Sequence, residues 1–317
     1  MEAPDMNEIM VKDANSLQTA SLSEDLYPRF IEFLDAKPAT VHTYTRALKA
    51  MFAYFADKGI INPQRKDILS YREYLKETGH KPTTVQTYIT ATRVFFRWTA
   101  SEELYPNIAD HLKGAKLDRD HKKDYLTSNQ VKTVLGDVDR TTPQGLRDYA
   151  ILTLMITGGL RTIEVVRANV GDISTLGDDT VLFVQGKGRD EKTEYVTLSA
   201  PVEKAIREYF KTRSDLTPDA PLFASLSNNS AGNRMTTRSI SRIAKDSMTA
   251  AGYNSDRLTA HSLRHTAVTL SLLGGESLDK TQQFARHADI STTQIYNHSL
   301  ERRKNTCSQT ISDMIFN

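Results

Sequence analysis

Along residues 37–112 apolar positions return every three to four residues, the spacing that collects them on one side of an α-helix. Val41, Tyr44, Leu48, Met51, Phe52 and Phe55 form one stripe, and Val85, Tyr88, Ile89, Phe95 and Phe96 form a second. Both stripes belong to a short internal repeat, in which "KPATVHTY" at 37–44 returns as "KPTTVQTY" at 81–88. Each copy reads as a helix start, since proline forfeits no intrahelical bond in the first turn and the threonines offer capping hydroxyls. Weaker stripes at 23–35 (Leu26, Phe30, Phe33) and 66–77 (Ile68, Tyr71, Leu75) complete an expected four-helix domain. It ends near residue 112, and "KGAKLDRDHKKDY" at 113–125, almost without apolar residues, reads as an exposed basic linker.

From Leu126 the pattern becomes mixed. "LRDYAILTLMITGGLR" is apolar nearly all round until its glycines, as expected of a buried helix that ends in a tight turn. "DTVLFVQ", "GKGRDEK" and "TEYVTLS" then predict a β-hairpin with Lys187 at or near its tip. "LTAHSLRHTAVTLSLL" at 258–273 predicts a helix with Leu263, Ala267 and Leu270 on one face. His261, Arg264 and His265 lie on another, which runs on into Val268 and Leu272 and is therefore expected to be partly covered. The organisation predicted is an extension over 1–20, a helical domain over 21–112, a linker over 113–124 and a second domain over 125–317.

Length agrees with two domains, because 317 residues exceed what one core usually supports. Charge is balanced, 41 Lys and Arg against 39 Asp and Glu, so total charge neither demands nor excludes a nucleic-acid partner and its distribution must decide. Cys307 is the only cysteine, which excludes an internal disulfide framework and a multi-cysteine zinc site and suits a reducing compartment. No apolar run approaches the ~18 residues of a membrane span, and the first residues lack a secretory apolar segment, so a cytoplasmic location is expected.

Distribution singles out the polar faces of the repeated helices. Thr83, Gln86, Thr90, Arg93 and Arg97 fall on one narrow strip, matched by His42, Arg46 and Lys49 in the first copy. Such strips are either solvated faces or, lacking any carboxylate, surfaces for phosphates and base edges. Arg161, just past the glycine turn, has an ordinary structural partner in Glu164 three positions on. Covered cations at Arg264 and its neighbours need an anion, which a ligand could supply. A zinc site on His261 and His265 lacks the adjacent glutamate and a third ligand. In "RHADISTTQIYNH" at 286–298, one straight helix would put His287 and Tyr296 on opposite sides. A break at "ADIST", where Asp289, Ser291 and Thr292 are good caps, would let them converge.

Arg161 in "TGGLRTIE", Lys187 in "GKG", "HSLRH" and "RHADISTTQIYNH", in this order, resemble the tyrosine recombinase (phage integrase) family. The resemblance implies a mainly α protein with a small antiparallel β-sheet: an N-terminal four-helix core-binding domain that clamps DNA, and a C-terminal α+β catalytic domain. It implies that Tyr296 attacks a DNA phosphate, giving a 3′-phosphotyrosyl link and a free 5′-hydroxyl. Arg161 and Arg264 would hold the non-bridging oxygens, Lys187 would protonate the leaving oxygen, His261 would assist proton transfer, His287 would hydrogen-bond the phosphate, and Glu164 would orient Arg161. Nearby cations would favour the anionic phenol, and no metal or nucleotide cofactor is required. The implied partners are a double-stranded DNA recombination site, three further copies of the chain, engaged through the tail "ERRKNTCSQTISDMIFN", and an accessory excision or bending protein. Nucleoid association would follow. Relaxation of DNA in the manner of a type IB topoisomerase, or DNA binding without catalysis, are the rival readings. One departure is Arg286, where the family commonly has a small residue; it is expected to contact DNA or point to solvent. The pair "GGLR" in place of the commoner "TGLR" is a change that a turn should tolerate.

Overall fold

The computed structural model describes residues 26–116, 124–186, 189–304 and 306–316. The expected extension at 1–20, most of the linker and Lys187 lie outside the described residues. The chain divides into two compact units, Met1–Arg119 and Asp120–Asn317.

The first unit holds α1 (Leu26–Leu34), α2 (Pro38–Asp57), α3 (Arg65–Glu77) and α4 (Pro82–Ser101). The repeat gives two helices of 20 residues, each with proline in its first turn. Their caps differ from expectation. Lys37 and Lys81 occupy the cap positions without a side-chain bond, while Thr43 and Thr87 bond back to the carbonyls of Ala39 and Thr83. Proline accounts for this: it places the threonines inside the helix, where a hydroxyl reaches the preceding turn. α4 packs against the other three helices, and Phe30, Met51, Ile68, Tyr71, Leu75, Ile89 and Trp98 fill the space between them. Phe33, expected in that core, is 40% exposed. The nine-residue α1 is a narrow stripe in which Phe30 already takes the contact, against Phe95 and Trp98.

The second unit is mainly helical around α6 (Pro143–Thr157), in which every residue from Ala150 to Ile156 is buried. α5 (Ser128–Gly136), α7 (Thr162–Arg167), α8 (Ala200–Phe210), α9 (Thr237–Ala250) and α10 (Ala260–Leu273) pack around it. β1 (Ile173–Leu176), β2 (Asp179–Val184) and β3 (Glu194–Thr197) form an antiparallel sheet in that order. The hairpin β2–β3 is the predicted one, with Val181 opposite Thr197 and Val184 opposite Glu194. β1 was not predicted; only four residues long and exposed at three of them, it carries no apolar alternation to read. α11 (Leu278–Ala285), α12 (Ser291–Lys304) and α13 (Cys307–Phe316) follow, and no described helix is long and apolar enough to cross a membrane.

Candidate active site

Two chain reversals bring the candidate residues together. α6 stops at Gly158, and Gly159 turns the chain at φ +59°, a left-handed conformation that glycine adopts freely. Arg161 then becomes the N-cap of α7. Its backbone N–H donates to Glu164 Oε2 at 2.9 Å, and its Nη1 donates to Glu164 Oε1 at 2.7 Å. Arg161 can therefore be both a structural arginine and a candidate phosphate ligand, because a single oxygen of Glu164 holds its side chain. Burial raises the Glu164 carboxyl, but Arg286 and Arg161 outweigh it and hold the group below the usual range.

The second reversal lies between α11 and α12. Arg286 adopts a left-handed conformation (φ 53°, ψ 46°) that ends α11, and Asp289 accepts a 2.8 Å bond from the Ser291 N–H as α12 begins. The break at "ADIST" turns His287 and Tyr296 to a common point: their rings stack with centroids 6.2 Å apart. His287 Nδ1 lies 2.9 Å from Thr293 Oγ1, a residue buried one turn before Tyr296.

On α10 the expected cationic stripe splits. His261 is exposed, whereas Arg264 and His265 are buried, with the His265 ring 4.3 Å from that of Tyr296. Arg264 is 1% exposed and donates from Nη1 to the Gly159 carbonyl at 2.5 Å and from Nη2 to that of Ala285. Both partners are neutral, so burial and the neighbouring Arg161 pull Arg264 down to about 9. The same causes act on His287: burial, then Arg264, Arg161, Arg286 and His261, bring it to about 4. At neutral pH it is an uncharged acceptor or donor.

Tyr296 reverses one expectation. Burial lifts its phenol above the ordinary value and outweighs the lowering by Arg264 and Arg161. At 4% exposure the ring loses more hydration than the two cations return. The phenol is therefore neutral in the free protein.

Arg161 stands between two clefts. One of about 980 Å³ is lined by Arg161, Arg189, Tyr195, Arg286 and His287; the other, about 690 Å³, by Arg161, Lys245, Thr259 and His261. Among the described residues no group of three or more His, Cys, Asp or Glu could hold a metal ion. In the first unit His42, Arg46, Lys49, Thr83, Arg93 and Arg97 are exposed. Gln86 and Thr90 are half-buried; the Thr90 hydroxyl donates to the Gln86 carbonyl at 2.8 Å.

The profile of the phage integrase family matches residues 124–303, which contain both reversals. The chain belongs to the phage integrase family. The family's N-terminal SAM-like domain matches residues 26–105, the helices of the first unit. A tyrosine recombinase of Synechococcus elongatus is 24% identical over 291 residues, 88% of this chain and 90% of that one. The tyrosine recombinase XerC of Pelobacter propionicus is 36% identical over 179 residues, 56% of each chain. Among solved structures, the XerH site-specific recombinase bound to difH substrate aligns over 98% of this chain and 91% of its own, with a TM-score of 0.69 at 20% identity. That likeness supports the integrase fold, mainly helical with its small antiparallel sheet.

Arg286 does not point to solvent, one of the two expectations set for it. Its side chain is only 4% exposed, and its Nη2 donates to Glu164 Oε2 at 3.0 Å. The sequence carried no signal for this pairing across 122 positions. A non-glycine residue in the left-handed region costs about 1–2 kcal/mol, and at Arg286 that conformation occurs together with the buried ion pair to Glu164. Thr293 also escaped notice, since a threonine early in a helix looks like a capping residue.

Proposed function

We propose that this integrase-family chain is a site-specific DNA recombinase that cleaves and rejoins strands through a 3′-phosphotyrosyl bond to Tyr296. The supporting observation is the convergence of a buried tyrosine with Arg264, Arg161 and His287 around one point. Guanidinium groups suit a phosphoryl centre because their planar donors match its oxygens and stabilise the charge that grows there. Arg161 and Arg264 bind the non-bridging oxygens, and neutral His287, held at Nδ1 by Thr293, offers Nε2 to the same phosphate.

Tyr296 Oη attacks phosphorus and the P–O5′ bond breaks. His261 assists removal of the phenolic proton, and Lys187 protonates the departing 5′-oxygen. Since the free phenol is neutral, proton removal belongs to the reaction and does not precede it. The bond energy is kept in the phosphotyrosine, so a 5′-hydroxyl from a second strand reverses the step and completes an exchange. The partner is double-stranded DNA, contacted by the strips on α2 and α4. Four copies act on two sites, joined by α13, whose Met314 and Phe316 are 82% and 80% exposed. An accessory excision or bending protein assists.

The test is a nicked duplex built from the DNA that flanks the gene. A covalent adduct stable to denaturant, absent with Tyr296→Phe, is the expected result. No adduct, or one that survives the substitution, refutes the mechanism. Relaxation of a plasmid without exchange between two sites would assign the chemistry to a topoisomerase-like activity instead.

A further inference from the structure

We infer that Arg286 is a positioning residue: by taking Glu164 Oε2 it limits Arg161 to one side-chain bond with that carboxylate and so keeps the Arg161 guanidinium presented to phosphate. The inference rests on the proposed role of Arg161 in phosphate binding.

Glu164 is fully buried, and its two oxygens are divided among three donors. Oε1 takes Arg161 Nη1 at 2.7 Å; Oε2 takes the Arg161 backbone N–H at 2.9 Å and Arg286 Nη2 at 3.0 Å. A carboxylate and a guanidinium ordinarily prefer two parallel bonds. Here the second oxygen is occupied, and Arg161 Nη2 is left with one long contact, 3.4 Å, to the Arg286 carbonyl. A ligand oxygen can displace so weak a bond.

Arg286 also braces the turn from which Arg161 departs. Its Nη1 reaches the Gly158 carbonyl at 3.4 Å and that of Phe284 at 2.8 Å, and its Nη2 reaches the Gly159 carbonyl at 3.2 Å. Arg264 donates to the same Gly159 carbonyl and to Ala285. The segments 158–164 and 284–287 are thereby tied in both directions, with the side chain of Arg286 holding the first and its backbone receiving Arg161 from it. A small residue at 286 would fit the left-handed backbone with less strain but would leave Glu164 with one counter-charge. The buried carboxylate would then draw Arg161 into a two-bond pair, turning it away from the cleft.

The experiment is a double-mutant cycle of Arg286→Gly and Glu164→Gln, with Arg286→Lys beside it, read by urea unfolding and by adduct formation on the nicked duplex. In unfolding, which needs no DNA, the pair should show a coupling of about tenfold in the equilibrium constant. Additive effects overturn the pairing. In adduct formation, Arg286→Gly should slow the single-turnover rate by about tenfold to a hundredfold at saturating DNA, and Arg286→Lys should restore part of the loss by returning a charge to Glu164. A rate within twofold of the unsubstituted protein, or a loss explained by the unfolded fraction, overturns the positioning role. If the unsubstituted chain forms no adduct on any flanking DNA, the proposed function falls and with it the role toward phosphate, while the unfolding cycle still decides the pairing.

Discussion

His287 Nδ1 and Thr293 Oγ1 lie 2.9 Å apart and join the end of the α11 reversal to the helix that carries Tyr296. The bond fixes which imidazole nitrogen remains for a ligand, and it ties the placement of His287 to that of α12. Thr293→Val keeps the shape and removes the hydroxyl. The adduct-forming rate should fall about tenfold with DNA affinity unchanged, as expected when a group bound in the transition state is misplaced. Equal rates for the two proteins would show that packing alone orients the ring.

The depressed value of His287 has a consequence for stability. Its folded value, about 4, lies below the ordinary 6.5, so the unfolded chain binds the proton more tightly. The stabilisation is fully present above pH 6.5 and is lost as pH falls toward 4. At ~1.4 kcal/mol per pH unit the window from 6.5 to about 4 corresponds to about 3.5 kcal/mol, and solvent screening of the half-buried ring reduces this to about 2–3 kcal/mol. Urea unfolding across that window should show the slope, and His287→Gln should flatten it.

Gly159 joins a backbone requirement to the site. With φ at +59°, an added Cβ would meet two ring atoms of Phe284 at 3.1 Å, and its carbonyl serves both Arg264 and Arg286. Gly159→Ala should destabilise the protein by ~1–2 kcal/mol, the usual cost of a left-handed non-glycine residue. It should also slow adduct formation more than Gly177→Ala, which has similar backbone strain, φ +62°, on a β-turn with nothing within 4 Å. Similar rates for the two would confine the effect to stability.

What could be read from the sequence follows from where each signal is stored. The α4 stripe and the apolar α6 were legible because a helix writes its burial into local spacing, and the break before α12 was legible because Asp289 is a local cap. The convergence of Arg161, Arg264, His287 and Tyr296 was reached through the ordered family motifs, since no local pattern relates positions so far apart. Arg286 was misread for that reason: its partner Glu164 sits 122 residues away, and an arginine before a polar loop looks solvated. Tyr296 exposed a different limit. Its neighbours' charges could be counted in the sequence, but the burial that outweighs them could not.

The polar strips of the first unit, proposed above to contact DNA, give the last prediction. Arg93 and Arg97 are exposed on α4 and make no ion pair among the described residues, so each is available to a phosphate. A lysine or arginine on a phosphate releases bound counterions, so its removal should weaken binding on every sequence alike and reduce the salt slope of log affinity by about 1. Arg93→Ala and Arg97→Ala should each do so in fluorescence anisotropy titrations across a salt series. Lys66→Ala, an exposed cation in the first turn of α3 and outside both strips, should leave the slope alone. Because the slope counts neutralised phosphates and not affinity as such, a general loss of folding cannot imitate it. Unchanged slopes for both arginines would return the strip to an ordinary solvated face.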